Sequence, residues 1–187
     1  MYYGDDLMDR EGFLIWRVNT RTHESKKEAV PPTWERLGGR GLLARILLDE
    51  VDAKCDPLGA ENKLIFSPGL LVGHMLSSTD RISVGGKSPL TGGIKEANAG
   101  GRTGLYMAVM GIQALILEDK PADKNLWVLH LSLKNGVTWE KADDLVGMGV
   151  YETAASLVGK YGDKVAIALI GPGGEMGMKS AGIQNID

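Results

Sequence analysis

The chain has 187 residues, 43% of them hydrophobic and 24% charged, with a formal charge of −3 at pH 7. That is enough for one domain, or slightly more, with a genuine core. The charge offers nucleic acid no bulk attraction, and no run approaches the ~20 apolar residues of a membrane span. The single cysteine, Cys55, excludes an internal disulfide framework and a four-thiolate metal site, and it points to a reducing, cytoplasmic setting. Met1 to Arg10 carries Asp5, Asp6 and Asp9 and lacks the apolar stretch of a signal peptide.

Phe13 to Val18 alternates apolar and polar residues as a strand does, and Asn19-Thr20-Arg21-Thr22 reads as the turn to a charged return strand ending near Val30. Pro31-Pro32 breaks the chain, with Thr33 placed to cap a short helix over Trp34 to Leu37. Gly38-Gly39-Arg40-Gly41 interrupts it. Helix resumes over Leu42 to Val51, with Leu42, Leu43, Ile46, Leu47 and Val51 on one face. Lys63 to Phe66 is a short buried strand running into Pro68-Gly69. Leu105 to Gly111 reads as helix and Ala114 to Glu118 as strand. Lys134-Asn135-Gly136 between two apolar alternations marks a hairpin. A helix over Val150 to Tyr161 and a strand over Lys164 to Ile170 follow, ending at Gly171-Pro172-Gly173-Gly174.

Both halves therefore repeat one order: a Trp-containing hairpin, a helix, a Lys-started apolar strand, then Pro-Gly. The fold class this implies is α+β, two pseudo-symmetric β-rich lobes from an internal duplication, with a few short helices. The first half continues into a loop that the second half does not reach before Asp187, so an equivalent loop is expected beyond that residue.

That loop is the most distinctive stretch. Arg81 to Gly104 holds seven glycines, four basic residues (Arg81, Lys87, Lys95, Arg102) and one acid, Glu96. Glycine lets backbone approach a ligand closely, and a glycine-rich turn feeding a helix start presents N–H groups to an anion. Neighbouring bases add charge-assisted hydrogen bonds. The stretch reads as a cradle for a phosphorylated ligand. Gly86-Lys87-Ser88 lacks the distal glycine of a P-loop, since Arg81 stands there, and Pro89 obstructs the helix that should follow. Gly171 to Gly174 lacks the Gly-x-Gly-x-x-Gly of a dinucleotide turn and reads as a plain turn. His23, His74 and His130 show no metal-ligand spacing, and only His74 lies near the cradle. Asp5-Asp6, Glu50 with Asp52, and Asp143-Asp144 are explained by caps and solvated faces. No nucleophile, base or oxyanion set emerges. Three glycines in the helical 38–41 region cost roughly 1 kcal/mol each against alanine, so they call for a packing, ligand or domain contact, or else mark a kink.

Leu37-Gly38-Gly39-Arg40-Gly41-Leu42, then Asp56-Pro57-Leu58-Gly59-x-Glu61-Asn62-Lys63-Leu64-Ile65, resembles the amino-terminal domain of aldehyde ferredoxin oxidoreductases. Arg81-x-Ser83-Val84-x-x-Lys87-Ser88-Pro89-Leu90-Thr91-Gly92 and Asn98-x-Gly100-Gly101 match the same family, so the likeness covers essentially the whole chain, 1–187. It implies a base for a tungsten or molybdenum bis-pterin cofactor. By the resemblance, Arg81 lies between pterin and a [4Fe–4S] cluster. Asn98 gives its backbone oxygen to the magnesium joining the two pterin phosphates, and Gly100 and Gly101 line the phosphate side. Ala99 and Arg102 depart from the family, which usually has serine and an aromatic residue there. The second phosphate loop, the cluster cysteines and the substrate-side residues are expected beyond Asp187, on a carboxy-terminal catalytic portion or partner subunit. The 187-residue chain alone is expected to be inactive. The whole enzyme is expected to oxidise aldehydes to acids and pass electrons to a ferredoxin-type acceptor. A non-catalytic module binding a phosphorylated ligand or serving assembly is the alternative, with a nucleotide-binding domain a weaker third. The aldehyde, the choice of metal and the oligomeric state, a homo-oligomer included, stay open at this point.

Overall fold

Leu14 to Asn19 (β1) and Ser25 to Ala29 (β2) form an antiparallel hairpin in a computed structural model that describes residues 12–74 and 76–186. The pair Asp5-Asp6 and the rest of the leading segment lie outside the described residues. Asn19 Oδ1 closes the hairpin by accepting the N–H groups of Arg21 and Thr22 at 2.8 and 2.9 Å, the side-chain mimic of a backbone turn. Contacts within the chain divide it into two units, Met1–Ala122 and Asp123–Asp187.

The first unit is built on a six-stranded sheet in the order β2-β1-β6-β3-β4-β5, with β3 Lys63–Pro68, β4 Ile82–Lys87, β5 Ile94–Ala99 and β6 Ile112–Glu118. Strand β6 is central, parallel to β1 and antiparallel to β3. Its residues Ile112 to Ile116 are all buried, as an interior strand covered on both faces requires. Helix α1 (Gly39–Glu50) lays Leu42, Leu43, Ile46 and Leu47 on Ile15, Ile65, Ala114 and Ile116. Each such side chain, fully buried, contributes roughly 1.5–3 kcal/mol. Helix α2 (Arg102–Val109) packs on β3 and β6.

Two expectations are corrected here. Trp34 to Leu37 is not helical; Trp34 N–H bonds Pro31 O and Leu37 N–H bonds Trp34 O as turns. The buried Gln113 amide, donating to the carbonyls of Trp34 and Leu37 at 3.0 Å each, takes the acceptors a helix would use. The glycines at 38–41 open α1 rather than interrupt it. A Cβ on Gly38 would lie 2.7 Å from Leu70 N, so the helix start presses onto the 68–70 backbone. The second correction concerns the first part of Arg81 to Gly104, read as a loop. It is an antiparallel hairpin, β4 with β5, whose tip is Ser88 to Gly93.

The second unit holds the hairpin β7 (Trp127–Ser132) with β8 (Gly136–Lys141), helix α3 (Val150–Tyr161), then β9 (Ile167–Ile170) paired antiparallel with β10 (Ile183–Ile186). A short helix, α4, covers Pro172–Glu175. Asn135-Gly136 sits at the β7–β8 turn, as read. Helix α3 begins where Glu152 Oε2 accepts the Gly149 N–H at 3.2 Å, a capping interaction. Hairpin, 12-residue helix, apolar strand and antiparallel strand thus recur in the same order in both units. The chain is an α+β, sheet-rich protein with a few short helices. Among the described residues, no helix is long and apolar enough to cross a membrane.

Beside the first core lies a charge cluster. Arg17 on β1 donates to Glu28 at 2.6 Å, Glu50 at 2.6 Å and Glu118 at 2.7 Å, and Lys63 Nζ reaches Glu118 at 2.6 Å. Burial alone would raise the Glu118 carboxyl, but the hydrogen bonds and charges of Lys63 and Arg17 outweigh it and hold the group below its usual value. Lys26 and Arg17 hold Glu28 down in the same sense. Both folded-state values are depressed, so this stabilisation is present above the ordinary carboxyl pKa of about 4.3 and is lost as pH falls through the lower folded values. The melting temperature is therefore expected to be flat from pH 7 to about 5 and to fall below about 4.3. A thermal-denaturation series across that range checks it; an unchanged melting temperature at pH 3 would contradict the assignment.

Candidate cofactor cradle

Pairing of β4 with β5 decides where the site residues go. Ser83 stands opposite Asn98 and Ile82 opposite Ala99, so Arg81, one residue earlier, reaches the chain at Gly100. A Cβ placed on Gly100 would lie 3.6 Å from Arg81 Nη1 and 3.7 Å from Cζ; the guanidinium rests against a residue that has no side chain to displace it. Gly101 caps α2 with φ 101° and ψ −174°, a conformation open to glycine and costly for other residues. Together with Ser78, Asp80, Arg102 and Leu105, these residues line an open cleft of about 370 Å³.

Arg81 is held from behind. Its carbonyl accepts the Gly69 N–H at 3.2 Å, and a Cβ on Gly104 would lie 3.0 Å from the same oxygen. Helix α2 is thus seated against the strand entry, with its start at the cleft. The lining carries two guanidiniums and one carboxylate, a net positive surface beside a helix N-terminus, where an anion is favoured. A glycine pair beneath a guanidinium suits a phosphate-bearing group.

Asn98 is on β5 next to this cleft. Its Nδ2 donates to Ser83 Oγ at 3.3 Å, and Ser83 Oγ donates to Glu96 Oε1 at 2.7 Å. Arg81, Asn98, Gly100 and Gly101, named from the sequence, are therefore brought to one edge of the sheet. Ser78, Asp80 and Leu105, and the Ser83–Glu96 support, were not named. The period-2 pairing of β4 with β5 is the signal that would have found the last two, had β5 been read as a strand.

Other motifs resolve structurally. Lys87 Nζ donates to the carbonyls of Ala53 and Cys55 at 2.6 Å each, and Ser88 Oγ accepts the N–H groups of Leu90 and Thr91. The would-be P-loop lysine and serine thus tie down turns. Cys55 is a buried free thiol. His23 sits in the first hairpin turn with φ 61°, and His130 on β7 stacks on Tyr161 at 4.8 Å. Among the described residues, no group of three or more His, Cys, Asp or Glu is arranged to hold a metal ion.

Comparison with known proteins bears on this arrangement. The family model described as aldehyde ferredoxin oxidoreductase, N-terminal domain, matches residues 15–187. The chain is 39% identical over 178 residues to a tungsten-containing aldehyde ferredoxin oxidoreductase of Thermococcus kodakarensis, covering 90% of this chain and 28% of that protein. It is 38% identical to the Pyrococcus furiosus protein of the same name, with the same coverage. Among solved structures it resembles the active-site complex BamBC of benzoyl coenzyme A reductase, in complex with 1,5-dienoyl-CoA. The TM-score there is 0.86 at 29% identity, over 94% of this chain and 27% of that one. The chain spans little more than a quarter of the length of these relatives. With a family model matched from the first core strand to Asp187, the chain belongs to the aldehyde ferredoxin oxidoreductase family, as its amino-terminal domain.

Proposed function

We propose that this domain holds a tungsten or molybdenum bis-pterin cofactor within an oxidoreductase that converts an aldehyde to a carboxylic acid. The observation that supports it most is the meeting of Arg81, Gly100 and Gly101 around one positively charged cleft. On this reading the Arg81 guanidinium faces the pterin's polar edge or charge, and Gly100 and Gly101 admit phosphate close to backbone N–H groups. The Asn98 backbone oxygen would be one ligand of a magnesium ion held with the cofactor, ordinary chemistry for a hard cation. The cofactor, when bound, supplies the two-electron chemistry, and the domain binds and orients it.

A [4Fe–4S] cluster and the substrate pocket belong to the remaining portion of the enzyme or to a partner subunit, and the electrons pass on to a separate ferredoxin-type acceptor, in the cytoplasm. The 187-residue chain alone accordingly turns over no aldehyde. The likeness to both aldehyde oxidoreductases and a benzoyl coenzyme A reductase complex supports a division of labour in which the substrate is chosen outside this domain.

The test is metal content in the full-length enzyme. Arg81→Ala is expected to lower tungsten or molybdenum per chain about 10-fold, read by elemental analysis beside the parent protein. Full metal in that variant would refute the reading, and absence of both metals from the parent itself would leave the phosphorylated-ligand module.

A further inference from the structure

Arg40, at the start of α1, is not among the residues that line the cleft described above, yet it begins a hydrogen-bond chain that ends at the cradle. Arg40 Nε donates to Glu96 Oε2 at 3.0 Å. The other oxygen of the same carboxylate, Glu96 Oε1, accepts from Ser83 Oγ at 2.7 Å. With its proton so committed, Ser83 Oγ is left as an acceptor, and Asn98 Nδ2 donates to it at 3.3 Å. Three elements are linked this way: α1, β4 and β5.

Burial grades along the chain. The Arg40 side chain is 75% exposed, that of Glu96 12%, and Ser83 as a residue 1%. The buried end is where direction matters, because a hydroxyl there has only the partners it is given. A Cβ on Gly39 would lie 3.5 Å from Ser83 Oγ, so the glycine-opened start of α1 reaches the hydroxyl itself. The glycine-rich 38–41 turn brings Arg40 within reach of Glu96 and leaves room for Ser83.

We propose that Arg40 is a positioning residue for the cofactor cradle, acting through Glu96 and Ser83 to fix the Asn98 side chain and with it the backbone of residues 98–101. This rests on the cradle reading given above. The guanidinium end of the pair is largely solvated, and Glu96 keeps its Ser83 hydrogen bond without it, so the pair adds little to folding stability; its work is to orient Glu96, as partners behind a ligand set orient the ligands.

In the full-length enzyme, Arg40→Ala and Ser83→Ala are each expected to lower by about 10-fold the EDTA concentration that strips half of the bound magnesium. The double variant is expected to be no worse than Ser83→Ala alone, since both cut one chain. Amide exchange over residues 94–101 should quicken in both single variants, while the Arg40→Ala melting temperature stays within about 2 °C of the parent. Parental magnesium retention in Arg40→Ala, alongside metal loss in Arg81→Ala, would overturn the relay and leave the cradle standing. Parental retention in both would remove the cradle reading itself. A melting-temperature drop well beyond that margin would overturn positioning in favour of a plain structural role.

Discussion

Gly85→Ala is expected to cost the first unit its β4–β5 hairpin and more than about 3 kcal/mol of stability. Gly85 stands opposite Glu96 in the ladder. An ideal Cβ there would lie 2.0 Å from Lys95 O and 3.0 Å from Lys95 C. Those are backbone atoms of the neighbouring strand, so no side chain can swing aside to relieve the overlap. Gly86 is pressed from the other flank, its Cβ position being 2.3 Å from Lys63 O on β3. β4 is squeezed between two backbones, and the alanine must push β5 away. Since β5 carries Asn98 and leads to Gly100, the variant should lose stability and, on the function proposed above, cofactor with it. Thermal denaturation checks it, with Gly93→Ala as the control, because that Cβ meets nothing nearer than Thr91 Oγ1 at 3.8 Å. A Gly85→Ala protein melting with the parent would show that the hairpin has slack the geometry denies.

Arg17→Met is expected to destabilise the first unit by about 2 kcal/mol, a fall of roughly 8 °C in melting temperature. Glu28, Glu50 and Glu118 converge on that one guanidinium, whose side chain is 16% exposed. Without it, Lys63 alone remains to face Glu50 and Glu118, at 3.4 and 2.6 Å. Leaving partly buried carboxylates uncompensated costs more than the intact pair contributes. The figure lies below the cost of breaking a fully buried pair because all three acids keep some contact with water. The sign can be checked independently: Glu28 and Glu118 are held below the usual carboxyl value by their cationic partners, so as the pH falls below about 4.3 and through those lower values the gap between parent and variant should narrow. A gap that widens in acid would contradict the account.

The elements most legible in the sequence were those whose pattern matched their burial. Val150 to Tyr161 was readable end to end, and Asn135-Gly136 marked its hairpin without help from the tertiary structure. Strand β5 was not legible. Ile94-Lys95-Glu96-Ala97-Asn98-Ala99 lies at a sheet edge, mostly exposed, so it lacks the apolar alternation that announces a strand. Missing it hid the Ser83–Asn98 pairing, although Arg81, Asn98, Gly100 and Gly101 had each been named. The start of α1 was hidden for a related reason. Gly39 and Gly41 read as breakers, and only the Leu70 backbone beneath Gly38 explains why small residues stand at a helix entrance.

The seat of Arg81 carries a further consequence. Its carbonyl is already engaged by the Gly69 N–H, and Gly104 packs against that same oxygen, so the main chain behind the guanidinium is immobilised when the protein folds. A ligand arriving at such a preorganised surface has less conformational freedom left to remove, and more of its contact energy survives as affinity.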